Sequence, residues 1–246
     1  MIAPDRFDAV AFDLDGVITR TALIHETAWK QVFDNYLMQH AQGSSKPFVP
    51  FSHLDYRTYV DGRPRADGIR AFLGARGFAP SEGDPDDERD QNTVQGLGRR
   101  KNAAFLDLLE RRGVELYPDA VPLIERLRNV GIATSVVTAS KNGIAVLRAA
   151  GIADLFDAKV DGLDGEALGL RGKPAPDTFV EAARLLGAHP SRMVVVEDAL
   201  AGVAAGHAGG FGLVIGVSGE GDPESLKEHG ADVVVPDLSR ITVERW

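Results

Sequence analysis

The sequence predicts an α/β protein in which a doubly wound parallel sheet is interrupted, after its first strand, by a long helical segment. Three observations predict this. An apolar run, Ala9-Val10-Ala11-Phe12, reads as a buried central strand that ends directly on two aspartates. From residue 116 onward, strand-length apolar runs alternate with helix-length amphipathic stretches, and that alternation builds parallel sheets. Residues 22–115, between them, show helical periodicity and loops without a convincing strand.

Taken in order, Asp13 and Asp15 are two residues apart and project from one face of extended chain, and Gly16 then lets the backbone turn. A helix is expected over residues 22–40, where Leu23, Ala28, Trp29, Val32, Phe33, Tyr36 and Leu37 form an apolar stripe. His25, taken alone, reads as a surface histidine. Gly43, Ser44, Ser45, Pro47 and Pro50 mark one loop, and Asp61-Gly62-Arg63-Pro64 marks another. The next helix, residues 65–77, begins on Arg65, where unpaired backbone N–H groups favour anions; the alternative for Arg65 is a solvated basic residue. Residues 80–95 are acidic and turn-rich, an exposed loop. Gly96-Leu97-Gly98 then precedes a helix ending near Arg112, whose opening residues Arg99, Arg100 and Lys101 would each oppose the helix dipole by about 0.3–1 kcal/mol.

The second half is more regular. Helices are expected over 119–129, from after 142 to 150, from the 172–177 segment to 187 and from after 198 to 207, and strands at 132–137, 158–160, 193–196, 211–215 and 232–235. Gly151 closes one helix, and Pro174 and Pro176 stand at the start of another.

Composition narrows the function. The 246 residues are 44% hydrophobic and 26% charged, ordinary for a soluble globular chain. No apolar run spans a bilayer, and the first residues, with Asp5, Arg6 and Asp8, lack the apolar core of an export signal, so a cytoplasmic location is expected. The absence of cysteine excludes disulfides and thiolate metal sites. A net charge of −9, from 27 basic and 36 acidic residues, argues against nucleic acid and anionic membranes as partners. An anionic substrate must therefore be held by a local cluster of positive groups.

Four strand ends carry such chemistry: Asp13 and Asp15, Thr138, the loop bearing Lys173, and Glu197-Asp198. Parallel strands present their carboxyl ends on one edge, so these groups can converge. A phosphoryl group needs a hydroxyl, helix-start amides and a cation, which Thr138 and Lys173 supply. Mg²⁺ takes oxygen ligands, which Asp13, Asp15, Glu197 and Asp198 would offer. Singly, each has a mundane reading: a capped turn for the Asp pair, a helix cap for Thr138 or Glu197-Asp198, and a surface lysine for Lys173.

In this order the four motifs resemble those of the haloacid dehalogenase-like phosphotransferases, with residues 1–21 and 116–246 as the Rossmann-like core and 22–115 as the inserted helical cap. Longer matches are similar to the bacterial β-phosphoglucomutases: Phe12-Asp13-Leu14-Asp15-Gly16-Val17-Ile18-Thr19, then Thr21, His25 and Ala28-Trp29-Lys30, Arg100-Lys101-Asn102, Ala139-Ser140-Lys141-Asn142 and Gly172-Lys173-Pro174-Ala175-Pro176-Asp177. The resemblance implies that Asp13 is the nucleophile and Asp15 the general acid/base. It implies that Thr138 and Lys173 hold the transferring phosphoryl group and that Arg65 holds the substrate's other phosphate. His25 and Lys101 would couple cap closure to the placement of Asp15. Trp29, Gly16, Gly62, Ala139, Ser140, Lys141 and Asn142 would line the sugar and phosphate site. The implied cofactor is Mg²⁺, the implied partner a small sugar phosphate, and the expected state a monomer. The chain departs from the family pattern at Asp61, where a basic residue is usual, and at Pro64, where a serine is usual. The loops at 41–60 and 80–95 are also longer than the compact members of that family need. A sugar-phosphate phosphatase using the same residues is the alternative.

Overall fold

The computed structural model describes residues 1–41, 48–89, 91–219 and 221–244. Gly43, Ser44, Ser45 and Pro47 of the first expected loop lie outside the described residues. In chain order the elements begin with β1 (Ala9–Phe12), α1 (Ala22–Ala41), α2 (His53–Asp55), α3 (Arg65–Ala75), α4 (Val94–Arg112) and α5 (Ala120–Asn129). They continue with β2 (Ala133–Val137), α6 (Gly143–Ala149), β3 (Ala158–Val160), α7 (Gly162–Ala167), α8 (Asp177–Leu186) and β4 (Met193–Glu197). The last are α9 (Leu200–Ala208), β5 (Leu213–Val217), α10 (Pro223–Glu228) and β6 (Val233–Val235). The chain divides into two compact units, one formed by Met1–Arg20 with Val114–Trp246 and the other by Thr21–Gly113.

The first unit is the α/β unit. Its six strands lie in the order β3-β2-β1-β4-β5-β6, and every described pairing is parallel. The order runs outward in both directions from β1, so the winding reverses there, and ligands of such sheets bind outside the carboxyl ends at that reversal. Register brings the ends level: Phe12 sits beside Val136 on one side and Val196 on the other. Strand β1 is wholly buried, as an inner parallel strand requires. Ala9, Ala11 and Val137 pack with Phe179 of α8 and Val203 of α9 in one core cluster. The predicted fold class therefore holds.

The second unit is helical. Its core is aromatic: Phe33 lies 4.4 Å from Phe72 and 5.1 Å from Phe51 between ring centroids, and Trp29 stacks on Phe33 at 5.0 Å. Each such pair adds about 0.5–1.5 kcal/mol beyond the burial of its area. The α1 stripe is shifted slightly from expectation, because Leu23 is exposed and Ile24 buried.

Three readings of this unit need correction. The 48–64 stretch is more ordered than its prolines imply: Ser52 and Asp55 form a reciprocal capping box at α2, followed by a π-helical turn, Tyr56–Val60. Gly96 and Gly98 do not precede the fourth helix; they lie inside it. Helix α4 begins at Val94 because the Thr93 side chain accepts from Gly96 N at 3.0 Å. Arg99, Arg100 and Lys101 therefore fall beyond the first turn, where the dipole penalty no longer applies. The acidic loop is exposed but tethered: Arg70 makes two hydrogen bonds of 2.7 Å to Glu82, and Thr93 donates to Asp87.

In the α/β unit, α7 and α10 are short helices that the sequence did not announce. The fifth strand begins at Leu213, two residues later than expected. Among the described residues, no helix is long and apolar enough to cross a membrane.

Candidate active site

The site begins where β1 ends. Asp13 N donates to Val196 O at 2.9 Å, which continues the ladder by one residue and holds the Asp13 side chain at the sheet's carboxyl edge. The next residues form a tight turn: Thr19 N donates to Leu14 O at 2.9 Å and Gly16 N to Thr19 O at 2.8 Å. Gly16 takes a φ of +106°, which a side chain would strain.

Lys173 is the centre of the charge arrangement. Its ammonium donates to Asp13 Oδ1 at 2.5 Å, Glu197 Oε1 at 2.6 Å and Val137 O at 3.3 Å, so each of its N–H groups has an acceptor. Lys173 is 2% exposed and Glu197 fully buried, so neither relies on water. Burial disfavours the ammonium, but the two carboxylates outweigh burial and push its pKa up. Burial pushes Asp13 well above the usual carboxylate range; Glu197 and Asp15 add to this and Lys173 opposes it. An anionic Asp13 in this setting depends on Lys173 and on any further cation.

The other half of the sheet edge supplies a hydroxyl. Thr138 follows β2, with its N–H on Val160 O at 3.0 Å. Its Oγ1 donates to Asp15 Oδ2 at 3.1 Å and accepts from Ser140 N at 3.1 Å. The following loop is pinned to the next strand end, since Gly162 N donates to Ser140 O at 3.1 Å. Ala139, Ser140 and Asn142 are partly exposed on this loop, and Lys141 reaches across to Glu166 of α7 at 2.7 Å.

Oxygens of Asp13, Glu197 and Asp198 lie within 4.8 Å of one another. Three carboxylates against the single charge of Lys173 leave an excess negative charge, and an all-oxygen set is the chemistry of a hard divalent cation. These residues fit Mg²⁺. Asp15 was expected among the ligands but is not in this cluster; its carboxylate is turned to Thr138. Gly16 is also part of the cradle. A Cβ on it would lie 2.0 Å from Asp198 Oδ2. Gly16→Ala should thus displace Asp198 as well as strain the turn. A loss of about 1–3 kcal/mol in chemical denaturation and a raised requirement for divalent cation in turnover are expected.

The helical unit carries two further groupings. His25, 9% exposed, is not a surface histidine: it stacks on Phe105 with centroids 4.0 Å apart. Lys101, 3% exposed, meets His25 Nδ1 and stands 5.1 Å over Trp29 and 4.8 Å over Phe105. A Lys101 ammonium only donates, so Nδ1 is the acceptor of this contact. Arg65 is the first residue of α3, and its Nη2 donates to Asn102 Oδ1 at 2.8 Å. The turn before it contains Gly62 at φ +70°.

The structure thus joins Asp13, Asp15, Gly16, Thr138, Lys173, Glu197 and Asp198 in one unit. In the other it joins His25, Trp29 and Lys101, and pairs Arg65 with Asn102. Sequence reasoning missed Glu166 and Phe105. Phe105 had a detectable signal, lying four residues after Lys101 on the same helical face.

Known proteins resemble this chain in sequence and fold. The haloacid dehalogenase-like hydrolase profile matches residues 7–210. The chain is 43% identical over 242 residues to the β-phosphoglucomutase of Mycobacterium bovis, covering 97% of this chain and 92% of that protein. It is 28% identical over 240 residues to hexitol phosphatase A of Escherichia coli, covering 95% and 93% of the two chains. The crystal structure of β-phosphoglucomutase from Clostridium difficile matches with a TM-score of 0.75 and 26% identity, covering 96% of this chain and 93% of that one. The acid pair after β1, the lysine between two buried carboxylates and a profile match across most of the sequence agree: this chain is an enzyme that belongs to the haloacid dehalogenase-like hydrolase family.

Proposed function

We propose that this protein is a Mg²⁺-dependent β-phosphoglucomutase, acting as a cytoplasmic monomer, that interconverts β-D-glucose 1-phosphate and glucose 6-phosphate through an aspartyl-phosphate and glucose 1,6-bisphosphate. One observation carries the reading: the two acids of the first turn are differently held, Asp13 on Lys173 and Asp15 on Thr138. That difference supports a division of labour between nucleophile and proton carrier.

In the first transfer, an Asp13 carboxylate oxygen attacks the phosphorus of the bisphosphate. The P–O ester bond breaks, and the departing sugar oxygen takes the proton from Asp15. In the second, a sugar hydroxyl gives its proton to Asp15 and attacks the aspartyl-phosphate, which restores Asp13. Lys173 and Thr138 orient the phosphoryl oxygens, and the fixed ammonium offsets the charge that builds on them. Asp13, Glu197 and Asp198 would hold Mg²⁺, which when bound adds further charge neutralisation at the phosphoryl group.

In this reading Arg65 holds the substrate's second phosphate, and Gly16, Trp29, Gly62, Ala139, Ser140, Lys141 and Asn142 line the sugar and phosphate site. His25 and Lys101 couple closure of the helical unit to Asp15, which keeps water from the aspartyl-phosphate. The 43% identity to a β-phosphoglucomutase over nearly the whole chain supports the mutase.

The test is phosphorus NMR on purified protein given Mg²⁺, a trace of β-glucose 1,6-bisphosphate and either anomer of glucose 1-phosphate. Conversion of the β anomer alone into glucose 6-phosphate is expected. Release of orthophosphate without isomerised sugar would establish the second reading, a sugar-phosphate phosphatase. Asp61 and Pro64, ahead of Arg65, favour that alternative because they alter the turn that would meet the sugar.

A further inference from the structure

Helix α9 starts almost on top of Glu197. Its third residue, Gly202, is buried, and a Cβ built there would lie 1.7 Å from Glu197 Oε1, 1.9 Å from its Cδ and 2.6 Å from its Oε2. A side chain there would have to push the Glu197 carboxylate aside. The Glu197 carboxylate is fixed from both ends, since Oε1 accepts from Lys173 at 2.6 Å and Oε2 accepts from Ala199 N at 2.9 Å. The helix is fixed as well: Val203 and Ala205 are fully buried, and a Cβ on Gly206 would stand 3.1 Å from Val214 and 3.2 Å from Val195.

The demand at Gly202 is for space and not for backbone freedom, because its φ lies outside the left-handed region. Glycine inside a helix is less favourable than alanine, so the sequence gives up helix stability at this point. The return is close approach of the first turn to the acid.

We propose that Gly202 is a positioning residue for the phosphoryl-transfer site. Its missing side chain lets the first turn of α9 close over the Glu197 carboxylate, and that carboxylate sets Lys173, which in turn sets Asp13. The inference rests on the reading of Asp13 as nucleophile.

A double-mutant cycle tests it, with Gly202→Ala, Glu197→Asp and the two combined. Turnover of β-glucose 1-phosphate and thermal unfolding are both measured. Gly202→Ala should lower kcat on the order of 10²-fold, as expected for a misplaced catalytic group, with KM nearly unchanged because Glu197 does not touch the sugar. Glu197→Asp alone should be impaired through its shorter reach to Lys173. Adding Gly202→Ala to Glu197→Asp should then cost less than about twofold, because the shorter acid withdraws from the space that the methyl enters.

An equal loss in both backgrounds, or wild-type kcat in Gly202→Ala, overturns the proposal. If Gly202→Ala does not fold, the comparison of Glu197→Asp with the combined variant decides: equal folding and activity supports the proposal, and loss of folding overturns it. If the wild-type protein turns over no sugar phosphate, the functional reading has failed, and the positioning role is read from crystals of Gly202→Ala. There, a Lys173–Glu197 contact kept at 2.6 Å overturns it and a lengthened one supports it.

Discussion

Asp13→Asn should abolish phosphoryl transfer and leave the protein folded. A nucleophile cannot be replaced by its amide, and removing one costs on the order of 10⁴–10⁶ in kcat in enzymes of comparable design. The stability side is less obvious, because Asp13 lies in a buried ion cluster, where deleting one partner commonly costs about 3–5 kcal/mol. Here Lys173 binds two of three clustered carboxylates and keeps Glu197 at 2.6 Å after the change. The change removes one of three acids that share a single ammonium, so the excess negative charge falls. Burial already disfavours the Asp13 anion, so an amide of the same shape relieves part of that penalty. A change of no more than about 1 kcal/mol in urea denaturation is expected, alongside complete loss of turnover. Retained turnover in this variant would remove Asp13 from the reaction.

Lys173→Met should do the opposite to stability. It leaves Asp13 and Glu197 buried at a shared point without the ammonium that binds both. The expected loss is about 3–5 kcal/mol, which in a chain of this size lowers Tm by roughly 6–20 °C, together with loss of turnover. The loss should also depend on pH in a definite sense. Without Lys173, the upward push that burial and Glu197 exert on Asp13 is unopposed. The folded variant then binds a proton at pH values where the unfolded chain, with its ordinary carboxyl, does not. Stability therefore rises as pH falls toward the unfolded carboxyl value near 4 and is lost as pH rises through the folded value. Denaturation at pH 5 and pH 8 checks this: the deficit relative to wild type should be smaller at pH 5. A deficit that grows on acidification would mean that Lys173 is not the counter-charge of the buried acids.

The sheet and its polar strand ends were legible in the sequence because both depend on local patterning. Three apolar runs ending in Asp, Thr or Glu need no knowledge of distant partners; Lys173, expected at a fourth strand end, lies instead on the loop between α7 and α8. What escaped was set by contacts far apart in the chain. His25 looked like a surface residue until Phe105 covered one face and Lys101 met its ring nitrogen. Gly96 and Gly98 read as punctuation, yet each serves packing. A Cβ at Gly96 would lie 2.3 Å from Gln91 O, and one at Gly98 would press on the Arg65 stem at 3.3 Å. The division of labour between Glu197 and Asp198 was equally hidden, because it depends on arm length: the longer acid, one residue earlier, reaches Lys173 and Ala199 N.

The pairing of β1 has a consequence for how the chain is made. Ala9 is bridged by Ala133 on one side and Met193 on the other, both more than a hundred residues downstream. A nascent chain therefore carries this wholly buried strand without either partner through the first half of its synthesis. By contrast, the aromatic cluster spanning Trp29 to Leu97 is complete soon after it leaves the ribosome. Loop-closure entropy makes such long-range pairing slow and exposes the waiting apolar segment to wrong associations. The helical unit is thus continuous in sequence and can assemble during synthesis, while the α/β unit completes the pairing of β1 only after its fourth strand emerges.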